Sequence, residues 1–180
     1  MPRLTSKISI DVPTGSIRDI PSGSDVFIDA NILIYGLTAQ STESRDLLIR
    51  CSREEVFGVC LFETANEATH RFMLAEAMSK GLIASENARE LRRKPNVVRE
   101  LTDYWRNSER VLALNLLFIP LDEQISRTAF KERQAAGLLT NDSMIVSLMR
   151  LLGVSNLASA DADFDGVAGI TVFGPSDLSP

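Results

Sequence analysis

Four acidic positions in this 180-residue chain have the types and surroundings that could assemble a site for a hard metal ion. Asp29 interrupts the apolar run Val26-Phe27-Ile28 and is followed by Ala30-Asn31-Ile32-Leu33-Ile34-Tyr35. A short Val/Ile/Phe run reads as a buried parallel strand, and ligands of open α/β sheets gather at the carboxyl ends of such strands. Glu67 falls early in the helix expected after a second strand, and Asp142 in the first turn of a late helix. Asp161 follows a fourth strand, with Asp163 and Asp165 close behind. Two carboxylates about 4 Å apart repel by around 4 kcal/mol at an effective dielectric of 20. Convergence of four therefore calls for a cation. With no Cys pair placed to bind metal and a single His, the oxygen-rich set favours Mg2+ or Mn2+ over Zn2+. Such an ion can activate a water and polarise a phosphodiester.

Each acid also has a purely structural reading. Asp29 could simply cap the helix after it, a role open to Asn31 as well. Asp142 could be a favourable charge at a helix N-terminus, and Asp161, Asp163 and Asp165 could build a turn. Glu63 competes with Glu67, because residues four apart share a helix face. Glu63, Glu67 and His70 also contain the Glu-x-x-His unit of di-iron bundles. That site needs a second such unit, which one histidine cannot supply, so His70 is expected to pack or to hydrogen-bond.

The elements that must position these residues alternate. After the opening strand and its short helix, Ser41 to Ser44 start a helix over Arg45 to Arg53 whose Leu47, Leu48 and Cys51 face inward. Val56 to Cys60 form the second strand, which leads into a long helix ending at Gly81. Ser85 caps a further helix that Pro95 ends, and another runs from Val97 to about Leu116. Leu117 to Ile119 form a third strand, and a helix from Glu123 to Ala136 ends at Gly137. Thr140 or Asn141 caps the helix that carries Asp142 to Gly153. Asn156 to Ala160 and Ile170 to Phe173 are two more strands. This order implies an α/β fold on a parallel sheet, residues 25–180, preceded by an arm, residues 1–24, with weak alternation at Ile8 and Ile10.

Composition bounds the rest. A hydrophobic fraction of 44% with mean hydropathy near zero describes a globular chain with one core. No apolar run of membrane-spanning length and no export signal occur, so a cytoplasmic protein with reduced Cys51 and Cys60 is expected. The net charge is -5, yet residues 89–110 hold seven basic and four acidic residues, leaving -8 on the remainder. Arg99, Arg106 and Arg110 would share a helical face and could track phosphates, with Tyr104 or Trp105 stacking bases. Alternatively, Asp103 could neutralise these arginines and Trp105 could be buried.

The motifs Phe27 to Tyr35, Asn66 to Met73, Gly137 to Val146 and Ser159 to Asp165 resemble, in order and approximate spacing, the acidic motifs of PIN-domain ribonucleases, most closely VapC-type toxins. The resemblance spans residues 25–174. It implies an α/β/α sandwich around a central parallel sheet and Mg2+- or Mn2+-dependent endonucleolytic cleavage of RNA to 3′-hydroxyl and 5′-phosphate ends. By position, Asp29, Glu67, Asp142 and Asp161 resemble the catalytic metal-binding quartet, with Asp165 as a fifth ligand, and the same alignment selects Glu67 over Glu63. Asn31 and Thr140 are similarly placed to orient water or phosphate. The resemblance further implies a homodimer and a cognate antitoxin protein that inserts into the acidic groove. Ser159-Ala160-Asp161 stands where the family often has Thr-Asn-Asp, and the arm is longer than usual. Two other readings are weighed beside it. One is a haloacid-dehalogenase-like phosphatase, for which Asp29-Ala30-Asn31 lacks the second aspartate; the other is a non-catalytic PIN-like module that binds RNA or protein.

Overall fold

In the computed structural model, which describes residues 15–85 and 87–178, apolar residues alternate between the two faces of a sheet. In β2 (Asp25–Ile28), Val26 and Ile28 join one core and Phe27 the other. The same alternation places Cys60 of β3 (Phe57–Leu61) and Ala158 of β5 (Asn156–Ala158) on the first side, with Val59 and Leu157 on the second. With β1 (Gly15–Ser16), β4 (Leu116–Ile119) and β6 (Thr171–Gly174), the described residues form a six-stranded sheet, ordered β1-β6-β5-β2-β3-β4, in which every pair is parallel.

Both faces are covered, as a parallel sheet requires. Helices α1 (Ala30–Leu37), α2 (Thr42–Ser52), α3 (Phe62–Ser79) and α6 (Asp103–Leu112) bury Ile32, Leu33, Leu47, Leu48, Phe72 and Val111 against one side. Helices α7 (Glu123–Ala136) and α8 (Thr140–Leu152) bury Ile125, Ala129, Ile145 and Leu148 against the other. This is the expected α/β/α sandwich. A satellite core of Leu74, Ala77, Ile83, Leu91 and Leu101 seats the short helices α4 (Ala88–Arg92) and α5 (Pro95–Glu100), with α6, over the C-terminal half of α3. Cys51 and Cys60 are buried and unbonded. No helix among the described residues is long and apolar enough to cross a membrane.

Several local expectations change. Residues 1–14 of the arm, with Ile8 and Ile10, lie outside the described residues. From Gly15 onward the segment belongs to the sheet, because β1 pairs with β6 and Ile17 and Ile20 are buried in the first core. Asn87, and not Ser85, caps α4. Leu139 precedes α8 without a side-chain cap, so neither Thr140 nor Asn141 fills that role. The single helix expected from Val97 to Leu116 is two. Pro95 begins α5, the chain turns extended at Leu101 to bury that side chain, and α6 starts at Asp103.

The break is held by Glu76 of α3. Its carboxylate accepts the backbone N–H of Thr102 at 3.0 Å and of Tyr104 at 2.7 Å, and it pairs with Lys80. A glutamate from another helix thus caps α6, satisfying donors that a helix N-terminus leaves open. A second clasp ties sequence-distant segments to α2. Buried Glu43 accepts Ser176 N at 2.8 Å and Ser176 Oγ at 2.7 Å and pairs with Arg18 at 3.2 Å. Asp177 accepts Ser41 Oγ at 2.6 Å and Thr42 N at 2.7 Å.

Burial opposes ionisation of Glu76, but hydrogen bonds from Lys80 and from the N–H groups of Thr102, Tyr104 and Asp103 outweigh it and pull the carboxyl down to about 2. A depressed folded-state value stabilises the fold above the ordinary 4.5 and is lost as pH falls toward 2. Glu76→Gln is therefore expected to cost about 2 kcal/mol at pH 7 by urea denaturation. The gap between variant and wild type should narrow steadily below pH 4.5.

Candidate active site

Strand order reverses its direction of growth between β2 and β5, and the carboxyl ends of these neighbours open a cleft of about 590 Å³. Such switch points are where open α/β sheets leave room for ligands. Asp29 is the first residue past β2. Its N–H donates to Ala158 O at 3.1 Å, which sets it beside the end of β5. It does cap α1, because its Oδ1 accepts Ala30 N at 2.7 Å. Asn31, inside the helix, does not.

The side chain of Asn31 is occupied on both ends. Its Nδ2 donates to Asp29 Oδ2 at 2.5 Å and to Ser159 Oγ at 3.1 Å, while its Oδ1 accepts Ala160 N at 3.1 Å. Ser159, fully buried just past β5, donates its hydroxyl to Asp29 Oδ2 at 2.7 Å and accepts Asp161 N at 3.0 Å. Two side chains, Asn31 and Ser159, thereby fix Asp29 and the backbone that carries Asp161. Sequence reading passed over Ser159; its place two residues before Asp161 was the available signal.

Glu67 and Asp142 reach the same cleft from α3 and α8, and Asp161 closes it, so all four expected acids line one hollow. Asn141 Nδ2 donates to Glu67 Oε2 at 3.2 Å, linking the two helices across it. Thr140 also lines the cleft. Asp165 does not; it ends a 3-10 turn (Ala162–Phe164) and faces a neighbouring hollow beside Pro175 and Leu178. Glu63 turns into a narrow crevice beside Met144. His70, expected to pack or to hydrogen-bond, is exposed and lies outside the cleft lining, so it does not pack in the core. Arg71 and Tyr35, which sequence reading did not select, line the wall. Arg71 follows Glu67 by four residues and so shares its helix face.

Electrostatics mark the cleft as short of positive charge. Burial raises the Asp29 carboxyl to about 6, against hydrogen bonds from Ser159 and Ala30 that lower it, and the charges of Glu67 and Asp142 raise it further. Asp142 is raised first by burial, then by Asp161, Asp163 and Glu67. Among the described residues no three acidic, His or Cys side chains are drawn close enough together to form a ready-made metal site. An open, carboxylate-rich hollow fits a hard ion that keeps several of its waters.

The basic segment departs further from expectation. Arg99 lies on α5 while Arg106 and Arg110 lie on α6, so the three do not share one helix face. Asp103 pairs with Lys80 at 3.0 Å and not with those arginines. Trp105 is 49% exposed where burial was expected. Its neighbours on α6 already satisfy the core through Ser108 and Val111.

No curated protein matches the sequence. Solved structures similar in fold include a chain of VapBC2 from Rickettsia felis bound to a promoter DNA fragment, with TM-score 0.55 and 11% identity, covering 84% of this chain and 99% of that one. A toxin–antitoxin complex from Klebsiella pneumoniae gives TM-score 0.52 and 18% identity over 81% and 95%. FitAcB from Neisseria gonorrhoeae gives TM-score 0.50 and 21% identity over 85% and 99%. The PIN domain family profile matches residues 26–170, and the chain belongs to that family.

Proposed function

We propose that the protein is a metal-dependent endoribonuclease, the toxin of a toxin–antitoxin pair, acting in the cytoplasm. The observation that carries this reading is the convergence of Asp29, Glu67, Asp142 and Asp161 on one cleft at the β2–β5 switch point. Membership of the PIN domain family supports it, as does the similarity of fold to chains from toxin–antitoxin complexes. By analogy with those complexes, a cognate antitoxin presenting a cationic segment is the partner suited to an acidic cleft. The toxin itself is read as a homodimer.

In this reading Asp29, Glu67, Asp142 and Asp161 hold Mg2+ or Mn2+, with Asp165 in the adjoining hollow that Asp161 also lines. Bound there, the ion would lower the pKa of a water and polarise a phosphodiester oxygen. Asn31 and Ser159 keep the Asp29 carboxylate in one orientation, so no rotamer freedom is lost when the ion arrives. Asn141 holds Glu67 in the same way. The Thr140 hydroxyl on the rim orients water or phosphate, and the Arg71 guanidinium draws the scissile phosphate toward the acids. A phosphatase that forms a phospho-aspartate is disfavoured, because Asn31 stands where that chemistry needs a second aspartate.

Purified protein incubated with total RNA is expected to produce new 5′-phosphate ends with Mg2+ or Mn2+ and none in chelator; cleavage undiminished by chelator would overturn the reading. Asp142→Asn should lower cleavage by about a hundredfold or more while the folded far-UV spectrum persists. Without metal, the raised value of Asp29 means the folded state holds that proton more tightly than the unfolded state. The contribution to stability is then present below 3.8 and lost as pH rises through about 6. The stability of Asp29→Asn relative to wild type is accordingly expected to improve by about 2 kcal/mol between pH 4 and pH 7.5. Thermal melts read this, and added Mn2+ should shrink the difference.

A further inference from the structure

Among the described residues no arginine of the α4–α6 cap pairs with a carboxylate, whereas six arginines elsewhere do. Arg18, Arg45, Arg50, Arg53, Arg127 and Arg150 each pair with an acid. In the cap, Glu90 pairs with Lys94 at 2.8 Å and Asp103 with Lys80 at 3.0 Å, so two of the segment's four acids serve lysines. Among the described residues Arg89, Arg92, Arg93 and Arg106 pair with no carboxylate, Arg99 meets only Asn96, and Arg110 meets only Asn107 and Leu37 O. All six are exposed. In a chain of net charge -5, uncompensated guanidinia gathered on one cap form a local phosphate-binding potential.

The cap also adjoins the acidic cleft. The cleft wall at Tyr35 and Arg71 gives way, about one turn further along α1 and α3, to a second hollow of about 250 Å³. There Thr38, Phe72 and Ala75 face Tyr104 and Asn107 of α6. Arg110 Nη1 reaches Leu37 O at the end of α1 at 3.5 Å. Along α3, Glu67 in the cleft stands nine residues from Glu76, which seats α6. That is about 14 Å, or roughly four phosphate spacings of a stacked strand. Trp105 is exposed on the same helix as Arg106 and Arg110 and offers a stacking face.

We propose that the α5–α6 surface of Arg99, Arg106 and Arg110, with Trp105, binds the single-stranded RNA flanking the cleaved bond, so that the strand runs from the acidic cleft over the basic cap. The choice of RNA as ligand rests on the endoribonuclease reading, but the surface is tested by binding alone. Trp105 is the only tryptophan of the chain, which makes intrinsic fluorescence a direct report from the surface.

The experiment titrates an unlabelled single-stranded RNA of about twenty nucleotides into the Asp142→Asn protein in chelator, at several salt concentrations. Trp105 emission is expected to be quenched. The triple variant Arg99→Gln, Arg106→Gln, Arg110→Gln on that background should bind about tenfold or more weakly near 0.1 M salt, with the slope of log K against log salt reduced by about two. Trp105→Phe, followed by fluorescence anisotropy of labelled RNA, should weaken binding while keeping the slope. Unquenched tryptophan together with unchanged affinity and slope in the triple variant would overturn the proposal. So would unchanged RNA affinity with weakened binding of poly-glutamate, which would give the surface to an acidic polypeptide. A wild-type protein that cuts no RNA but shows the quench and the slope change would defeat the nuclease reading and leave this surface standing.

Discussion

A carboxylate buried at the parting of two parallel strands governs much of this molecule. Asp29 cannot move away from water's reach without cost, and the cost is met by the three donors aimed at it from Ala30, Asn31 and Ser159. Those donors come from both sides of the β2–β5 seam, so the register of the two strands and the orientation of the acid are one constraint. What those hydrogen bonds do not cancel is the cost of burying the charge, to which the repulsion from Glu67 and Asp142 adds. The fold therefore carries an unbalanced charge at its switch point, and this imbalance is the physical reason to expect a cation there.

Much of the frame was legible because it rests on short-range pattern. Val26-Phe27-Ile28 and Val59-Cys60-Leu61 are apolar on both faces and read as buried parallel strands. Gly137 and Gly153 end α7 and α8 with positive φ of 74° and 72°, a conformation that glycine adopts without strain. Asp29, Asp142 and Asp161 were legible for the same reason, each lying at or near the end of an element whose position the pattern fixed, whereas Glu67 was separated from Glu63 only by the family resemblance.

What escaped notice depends on partners distant in sequence. The break between α5 and α6 has no breaker residue; it exists because Glu76, some two dozen positions earlier, captures Thr102 and Tyr104. Ser159 looks like an ordinary strand-end residue until Asp29 stands beside it. The exposure of Trp105 and the pairing of Asp103 with Lys80 likewise follow from how α6 lands on α3, which helical periodicity within residues 97–116 could not convey. Local pattern thus pointed to acids that meet in the cleft, while tertiary contact decided which neighbours orient them.

The clasp on α2 joins residues separated by most of the chain. Glu43 grips Arg18 on one side and Ser176 on the other, and Asp177 returns to cap the helix that carries Glu43. Release of the late segment takes Asp177 from the Thr42 and Glu43 N–H groups and leaves Ser41 alone to cap α2, and release of the early one leaves a buried anion facing only hydroxyl and amide. The first and last described segments therefore form one cooperative unit that opens or closes together. The edge strand β1, only two residues long, inherits whatever lifetime that unit has.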